Sequence, residues 1–218
     1  MAEVNLLARL PKGKRNVNAR AEAKSPEIIA ISRQYGELYF DGPRTYGYGG
    51  YRYDGRWIPV AEVIVKHFNL TPGDRVLDIG CAKGFLVKDL MKVCPGLEAF
   101  GLDVSEYALR HCEPEVVGRL QLGSADKLPF PDKSFNAVLA INTIHNFKRA
   151  DAIRAVREIE RLAPGRGFIQ VDSYRTPEQR EVFLEWVLTA KFHDYPAGWL
   201  KLFSKGGYTG DYFWTIIE

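Results

Sequence analysis

A chain of 218 residues, 46% hydrophobic, 26% charged and 12% aromatic, is long enough for one domain with a sizeable core. That composition excludes a disordered or collagen-like chain, and no apolar run approaches the ~18 residues of a membrane span. The net charge of +3 is concentrated before residue 25, where Arg9, Lys12, Lys14, Arg15, Arg20 and Lys24 stand against Glu3 and Glu22.

This leading segment lacks the apolar stretch of a secretory signal. It reads as a solvated basic arm packed on the domain, with contact to a polyanion or a partner as the alternative. The remaining chain is close to neutral, which argues against a nucleic-acid-binding face. Cys81, Cys94 and Cys112 form no C-x-x-C pair, so no disulfide framework or zinc knuckle is expected and a reducing cytoplasm is. His67, His111, His145 and His193 show no metal-ligand spacing.

In chain order, Ser25 and Pro26 read as the cap and first turn of a helix over 27–40. Residues 39–57 hold Tyr39, Phe40, Tyr46, Tyr48, Tyr51, Tyr53 and Trp57 among five glycines. The glycines preclude a stable helix. So many aromatics predict an ordered loop lying on something, and residues 1–56 read as an arm and lid. Residues 57–70 have helical periodicity, and residues 57–218 read as the main domain. Five strands follow over 75–80, 97–103, 120–125, 135–142 and 167–173, and a last over 208–217. The helices between and after them are read at 84–93, 105–112, 151–162, 178–190 and near 199–203. Strands alternating with helices predict an α/β fold: a doubly wound, mostly parallel sheet of six or seven strands.

In such sheets ligands bind outside the carboxyl ends of the strands. Three strand ends carry distinctive residues. Between strand one and its helix lies Asp78-Ile79-Gly80-Cys81-Ala82-Lys83-Gly84, with glycines for a tight turn and a close helix start. Neither the G-x-x-x-x-G-K-[ST] phosphate loop nor the G-x-G-x-x-G dinucleotide pattern is present. Asp103 closes strand two, 19 residues after Gly84, where a carboxylate can accept hydrogen bonds from a ribose diol. Asp126, after strand three, suits an adenine amino group, with Leu128 available to pack on the ring.

These segments together resemble the class I S-adenosylmethionine-dependent methyltransferases. The carrying residues are Val76 through Gly84, Gly101-Leu102-Asp103-Val104-Ser105, Ser124-Ala125-Asp126 through Asn136, and Leu162-Ala163-Pro164-Gly165-Arg166-Gly167. The likeness covers about residues 57–217. It implies S-adenosylmethionine as cofactor, with Gly80 and Gly84 along its methionine part. Asp103 would bind the ribose, and Asp126 with Ala125 the adenine end. Asp78, Cys81, Val104 and Asn142 complete the implied contact set. Most members end in two antiparallel strands, whereas only one is readable here.

On the acceptor side, Asn142-Thr143-Ile144-His145-Asn146 follows strand four. It lacks the N-P-P-Y or D-P-P-Y of nucleic-acid amino-methyltransferases and the paired glutamates of arginine methyltransferases. Asn142 stands where catechol-type enzymes place an aspartate, so no metal is expected. His145 is the candidate general base, with a helix-start structural role as the alternative. Tyr174 and Asp172 are secondary candidates. Tyr46, Tyr48 and Tyr51 are expected to lid the cofactor, their faces suiting a sulfonium cation. Arg44, Arg52 and Arg56 would hold a carboxylate or phosphate on the substrate. Three functions stay open at this point. One is methyl transfer to a hydroxyl or amine of a small molecule, such as a saccharide or other anionic metabolite. Another is cofactor cyclisation to a cyclic amino acid with release of methylthioadenosine. The last is a non-catalytic cofactor-binding partner. The oligomeric state is not readable.

Overall fold

A computed structural model describes every residue except Lys12, Lys14 and Glu218. Five crossing units build a six-stranded sheet in the order β3-β2-β1-β4-β5-β6. The strands are β1 (Arg75–Ile79), β2 (Glu98–Asp103), β3 (Leu120–Leu122), β4 (Ala137–Ile141), β5 (Gly167–Ser173) and β6 (Asp211–Ile216). Every pairing is parallel, β5 with β6 included. The sheet therefore has six strands among the described residues, and no antiparallel pair closes it.

Alternation along the strands sends neighbouring side chains to opposite faces. Val76, Ala99, Leu139 and Phe168 pack beneath α4 (Ile58–Phe68) and α5 (Phe85–Val93). Leu77, Val138, Ala140 and Ile169 pack against α7 (Arg149–Leu162) and α9 (Pro196–Gly206), where Trp199, Leu202 and Phe203 are fully buried. The remaining helices are α1 (Val17–Ala23), α2 (Pro26–Ser32), α3 (Glu37–Phe40), α6 (Glu106–Arg110) and α8 (Pro177–Trp186).

The expected helix over 27–40 is two helices. Ser25 caps α2 as anticipated, its hydroxyl accepting from the Ile28 amide at 3.2 Å. The helix then stops because Tyr35 adopts a left-handed conformation, φ 51°, and Gly36 begins α3. The turn redirects the chain so that Tyr35, Tyr39 and Phe40 share one pocket.

The start of the chain is tied to the sheet. Val4 donates to the Tyr212 carbonyl at 2.9 Å and Tyr212 to that of Ala2 at 3.0 Å, covering the edge of β6. Leu6 and Leu7 are buried under α4. The basic side chains that follow find partners within the fold. Arg9 pairs with Glu62 at 2.7 Å, and Lys24 donates to the Leu184 carbonyl. Arg20 lies 4.5 Å over the Trp186 ring. The expectation of an arm packed on the domain thus describes these residues, while Lys12 and Lys14 lie outside the described ones. No described helix is long and apolar enough to cross a membrane.

Candidate functional site

The carboxyl ends of β1, β2 and β4 open on one pocket of about 270 Å³. Its floor is set by Gly80. At φ +78° this residue favours glycine, and a Cβ there would stand 2.1 Å from Thr143 Oγ1. The Thr143 hydroxyl needs that space, since it lies 3.0 Å from the Ile79 carbonyl and 3.1 Å from that of Ile141. One hydroxyl so ties the ends of β1 and β4. Ala82 is also left-handed, φ 50°, which curls the loop back toward β2.

Asp103 closes β2 and is 8% exposed on the pocket wall. Its Oδ2 accepts from the Ala82 amide at 2.7 Å and its Oδ1 from the Ser105 amide at 2.8 Å. Burial raises its pKa, and the amides of Ser105, Ala82 and Val104 work against the rise. Each carboxylate oxygen has two lone pairs, so each retains one for a ligand. Val104, Gly123, Ser124 and Ala125 continue this wall. They present an apolar edge, a hydroxyl and small residues against which a flat ring fits.

Asp126 turns away from the pocket. Its carboxylate takes the Ser124 hydroxyl and faces Arg154 of α7 at 3.4 Å. Of the two residues expected at the adenine end, Ala125 lines the pocket, with Ser124 beside it, and Asp126 does not. Cys81 and Gly84 are not on the wall either. The Cys81 thiol packs toward Gly101 in the core, where a Cβ on Gly101 would lie 2.6 Å from its Sγ. The absent Cβ of Gly84 makes room for Val116 and Leu120. Asp78 is 5% exposed behind the floor; burial, then the charge of Asp103, raises its pKa to about 7.

At the end of β4, Asn142 holds a left-handed conformation, φ 54°, on the wall beside Asn146 and Phe147. His145 is elsewhere. It is 4% exposed, its Nδ1 accepts from the Asp172 amide at 3.1 Å, and its carbonyl accepts from Lys191 and Phe192. An acceptor Nδ1 leaves the proton on Nε2, and burial lowers the ring's pKa, with Asp172 opposing. The geometry makes His145 a brace rather than the general base expected from sequence. Tyr174 is likewise distant, packed on Phe183 and Tyr195 with its hydroxyl 2.9 Å from His193 Nδ1.

The opposite wall is aromatic: Tyr35, Tyr39, Phe40 and Tyr48. Of the three expected lid tyrosines only Tyr48 lines the pocket, and it keeps 41% of its surface exposed. Tyr51 stacks on Phe85 at 4.6 Å instead, and Tyr46 is off the wall. Arg44 and Arg56 are not poised for a substrate anion. Arg44 donates to the Tyr48 carbonyl at 2.7 Å, and Arg56 pairs with Asp54. Arg52 does not line the pocket. The aromatic wall is bolted on from below by Lys83, whose Nζ reaches both oxygens of Asp41 and the Tyr51 carbonyl. From outside, Arg20 donates to the carbonyls of Arg44 and Gly47.

Sequence reasoning missed Tyr35, Thr143, Asn146 and Lys191 as wall residues. Tyr35 was hidden inside an apparent continuous helix, whereas Tyr39 was already counted at the start of the aromatic loop. Gly36 was the available sign of a break. Lys191 carried no sequence signal, since only tertiary packing against His145 brings it here. The wall fits S-adenosylmethionine by its chemistry. Asp103 retains lone pairs for a diol, the Gly80 floor admits close approach, and an aromatic wall faces a cation.

Comparison with known proteins agrees with this chemistry. Residues 77–171 match a family model described as a methyltransferase domain. Demethylmenaquinone methyltransferase of Symbiobacterium thermophilum is 34% identical over 128 residues, covering 55% of this chain and 50% of that protein. Sterol 24-C-methyltransferase ERG6B of Gibberella zeae is 27% identical over 201 residues, covering 80% of this chain and 51% of that one. The crystal structure of YcgJ from Bacillus subtilis has a TM-score of 0.53 at 22% identity, covering 67% of this chain and 66% of that one, a likeness of fold. The chain spans about half the length of the curated relatives it matches.

Proposed function

We propose that the protein, whose residues 77–171 match a methyltransferase domain, is a class I S-adenosylmethionine-dependent methyltransferase that methylates a small-molecule acceptor. The observation that carries this reading is Asp103, a buried carboxylate with a lone pair left on each oxygen beside the Gly80 floor. S-adenosylmethionine, when bound, supplies an electrophilic methyl group on a sulfonium that leaves as a neutral thioether.

The protein's own part is alignment and exclusion of water. Asp103 would hold the ribose, while Val104, Ser124 and Ala125 flank the base. Gly80 admits the chain joining nucleoside to amino acid. Tyr48, Tyr39 and Phe40 cover the reacting end, and a ring face toward a sulfonium is worth roughly 0.5–2 kcal/mol. A hydroxyl acceptor needs its proton removed as the bond forms. Among the described wall residues the charged side chains are Asp103, which this reading gives to the ribose, and Lys191, so the reading favours an amine, or an acceptor that loses its proton to water. The relatives named above act on a quinone precursor and a sterol; an aromatic wall is compatible with a ring-bearing acceptor. Residues 1–56 serve in this reading as the cover of the site.

A second reading, intramolecular cyclisation of the cofactor, is favoured by one observation. The pocket of about 270 Å³ lies just below the ~300–1,000 Å³ common for ligand sites. In both readings the compartment is reducing, which agrees with Cys81 and Cys94 being buried free thiols. The internal partners of Arg9, Arg20 and Lys24 support the absence of a nucleic-acid face.

Incubation with S-adenosylmethionine, with and without a metabolite extract, followed by mass spectrometry tests both readings. S-adenosylhomocysteine formed only with extract supports methyl transfer. Methylthioadenosine formed from cofactor alone supports cyclisation. Calorimetry showing no binding of S-adenosylhomocysteine would overturn the cofactor assignment itself.

A further inference from the structure

β5 sends its side chains alternately to the two faces of the sheet. Ile169 and Val171 join the core under α7 and α9, and Phe168 the core under α4 and α5. Gln170 and Asp172 therefore stand on the Phe168 face, about 7 Å apart along the strand. Thr215 is the partner of Asp172 in the register of β6 with β5. The Thr215 hydroxyl donates to Asn142 Oδ1, on the pocket wall, at 3.4 Å. With that proton directed at Asn142, Gln170 turns its NH2 to the hydroxyl at 2.7 Å and its Oε1 away. A polar row thus adjoins the cofactor pocket at the β4 end without being part of its wall.

What this row has left over is acceptors. Gln170 is 6% exposed, and its Oε1 is buried with no hydrogen-bond partner. The Asp172 side chain is 14% exposed. The Asp172 amide and carbonyl are satisfied by His145 Nδ1 and the Trp199 indole, but no donor among the described residues bonds either carboxylate oxygen. His145 Nδ1 stands 3.7 Å from Asp172 Oδ2, yet it already accepts from the Asp172 amide and has no proton to give. Burial pushes the Asp172 carboxyl's pKa up, against the charges of His145 and Arg15. A buried amide oxygen and a largely buried carboxylate, both without donors, are costly until a ligand supplies them. A hydroxyl brings one donor and no charge. An ammonium brings three donors and the missing positive charge.

We propose that Gln170 and Asp172 form the amine subsite of an arylalkylamine acceptor. Asp172 draws in the primary ammonium and takes one of its protons, Gln170 Oε1 accepts a remaining N–H, and the aromatic side of the pocket takes the ring. The proposal rests on the methyl-transfer reading above and names its acceptor class. The freed nitrogen pair bonds the methyl carbon as the carbon–sulfur bond breaks, and that bond's pair stays on sulfur. The products are a secondary ammonium and a neutral thioether, and Asp172 passes its proton to water.

Titration calorimetry of the protein saturated with S-adenosylhomocysteine tests this with matched probes: benzylamine against benzyl alcohol, 2-phenylethylamine against 2-phenylethanol, and 3-phenylpropylamine against 3-phenylpropanol. At least one amine should bind wild type about tenfold or more tightly than its alcohol, the scale of a charged hydrogen-bond partner. Asp172→Asn should lose that preference while keeping wild-type affinity for S-adenosylhomocysteine, which shows it to be folded. Gln170→Met should lose part of the preference. If Asp172→Asn does not bind S-adenosylhomocysteine, Gln170→Met decides in its place: a reduced preference supports the subsite and an unchanged one overturns it. A preference that survives in a folded Asp172→Asn overturns the subsite and leaves the aromatic wall as the ammonium's partner. Equal binding of amine and alcohol in every wild-type pair, or binding of neither, overturns it too. Wild type that does not bind S-adenosylhomocysteine overturns the cofactor reading instead, and the subsite with it.

Discussion

Lys83 Nζ lies 2.6 Å from Oδ2 and 2.8 Å from Oδ1 of Asp41, joining the loop after β1 to the aromatic wall that covers it. The same carboxylate accepts from the Tyr107 hydroxyl at 2.8 Å and the Tyr51 amide at 3.2 Å. Three separate parts of the chain therefore meet at Asp41. The Lys83 side chain is 9% exposed and that of Asp41 28%, so solvent screens this pair less than a surface one. A double-mutant cycle of Lys83→Met and Asp41→Asn should give a coupling of about 1–2 kcal/mol in thermal unfolding. Each single variant should also weaken S-adenosylhomocysteine binding, because Tyr48 and Phe40 lose their anchor. Full additivity would show that the contact is incidental.

Asp103→Asn keeps the shape of the side chain and removes its charge. Loss of a charged hydrogen-bond partner costs about 1.5–3 kcal/mol, so S-adenosylhomocysteine affinity should fall roughly ten- to 150-fold. Calorimetry reads this directly, and an unchanged dissociation constant would remove Asp103 from the ribose site.

Gly80→Ala meets two obstacles. A left-handed alanine costs about 1–2 kcal/mol, and the new Cβ would stand 2.1 Å from Thr143 Oγ1. Thr143→Ala in the same chain relieves only the collision. The double variant is expected to recover part of the stability lost by Gly80→Ala in urea unfolding. No recovery would place the whole effect on the backbone.

Asp78 sets a pH dependence of unusual sign. In the folded protein burial and Asp103 hold its pKa at about 7, while the unfolded chain releases the proton near ~3.9. Between these values the folded state binds more protons, so this group's contribution to stability falls as the pH rises, by up to ~1.4 kcal/mol per unit. Asp78→Asn lacks the dependence. From pH 5 to pH 7 the stability of wild type should fall relative to that of the variant, and a constant difference would refute the shift.

His145 acts in the opposite sense. Burial lowers its pKa, with Asp172 opposing, so below the unfolded value of ~6.5 the unfolded chain takes up protons that the folded state excludes. Its contribution is fully present above that pH and is lost as the pH falls through the folded value. Nitrogen-detected NMR should find His145 titrating below the unfolded value of ~6.5, with the proton of the neutral ring on Nε2. A ring that titrates above that value, or carries its proton on Nδ1, would contradict the brace.

Much of this was legible in the chain itself. The strands at β1, β2, β4 and β5 announce themselves as short apolar runs ending at Gly80, Asp103, Asn142 and Ser173, because a strand buried on both faces leaves little choice of residue. The parallel order follows from the helices between them, and with it the location of the site at the carboxyl ends. Asp103 was readable for the same reason: its backbone position is fixed by β2, and its side chain has only one bond of reach. What the tertiary structure decided is where longer or loop-borne side chains point. Asp126 is drawn off by Arg154, His145 is turned inward onto β5, and Lys191 is carried in from a segment more than forty residues along the chain. Tyr35 and Tyr39 join the wall because one left-handed residue breaks an otherwise continuous helical pattern. The basic excess before residue 25, which as a total suggested an anionic partner, is in its described part tied up by Glu62, Trp186 and backbone carbonyls. Local sequence determines a strand and the residue at its end, since those depend on burial and backbone geometry alone. Partners distant in sequence determine orientation and charge pairing, and only the folded chain brings them within reach.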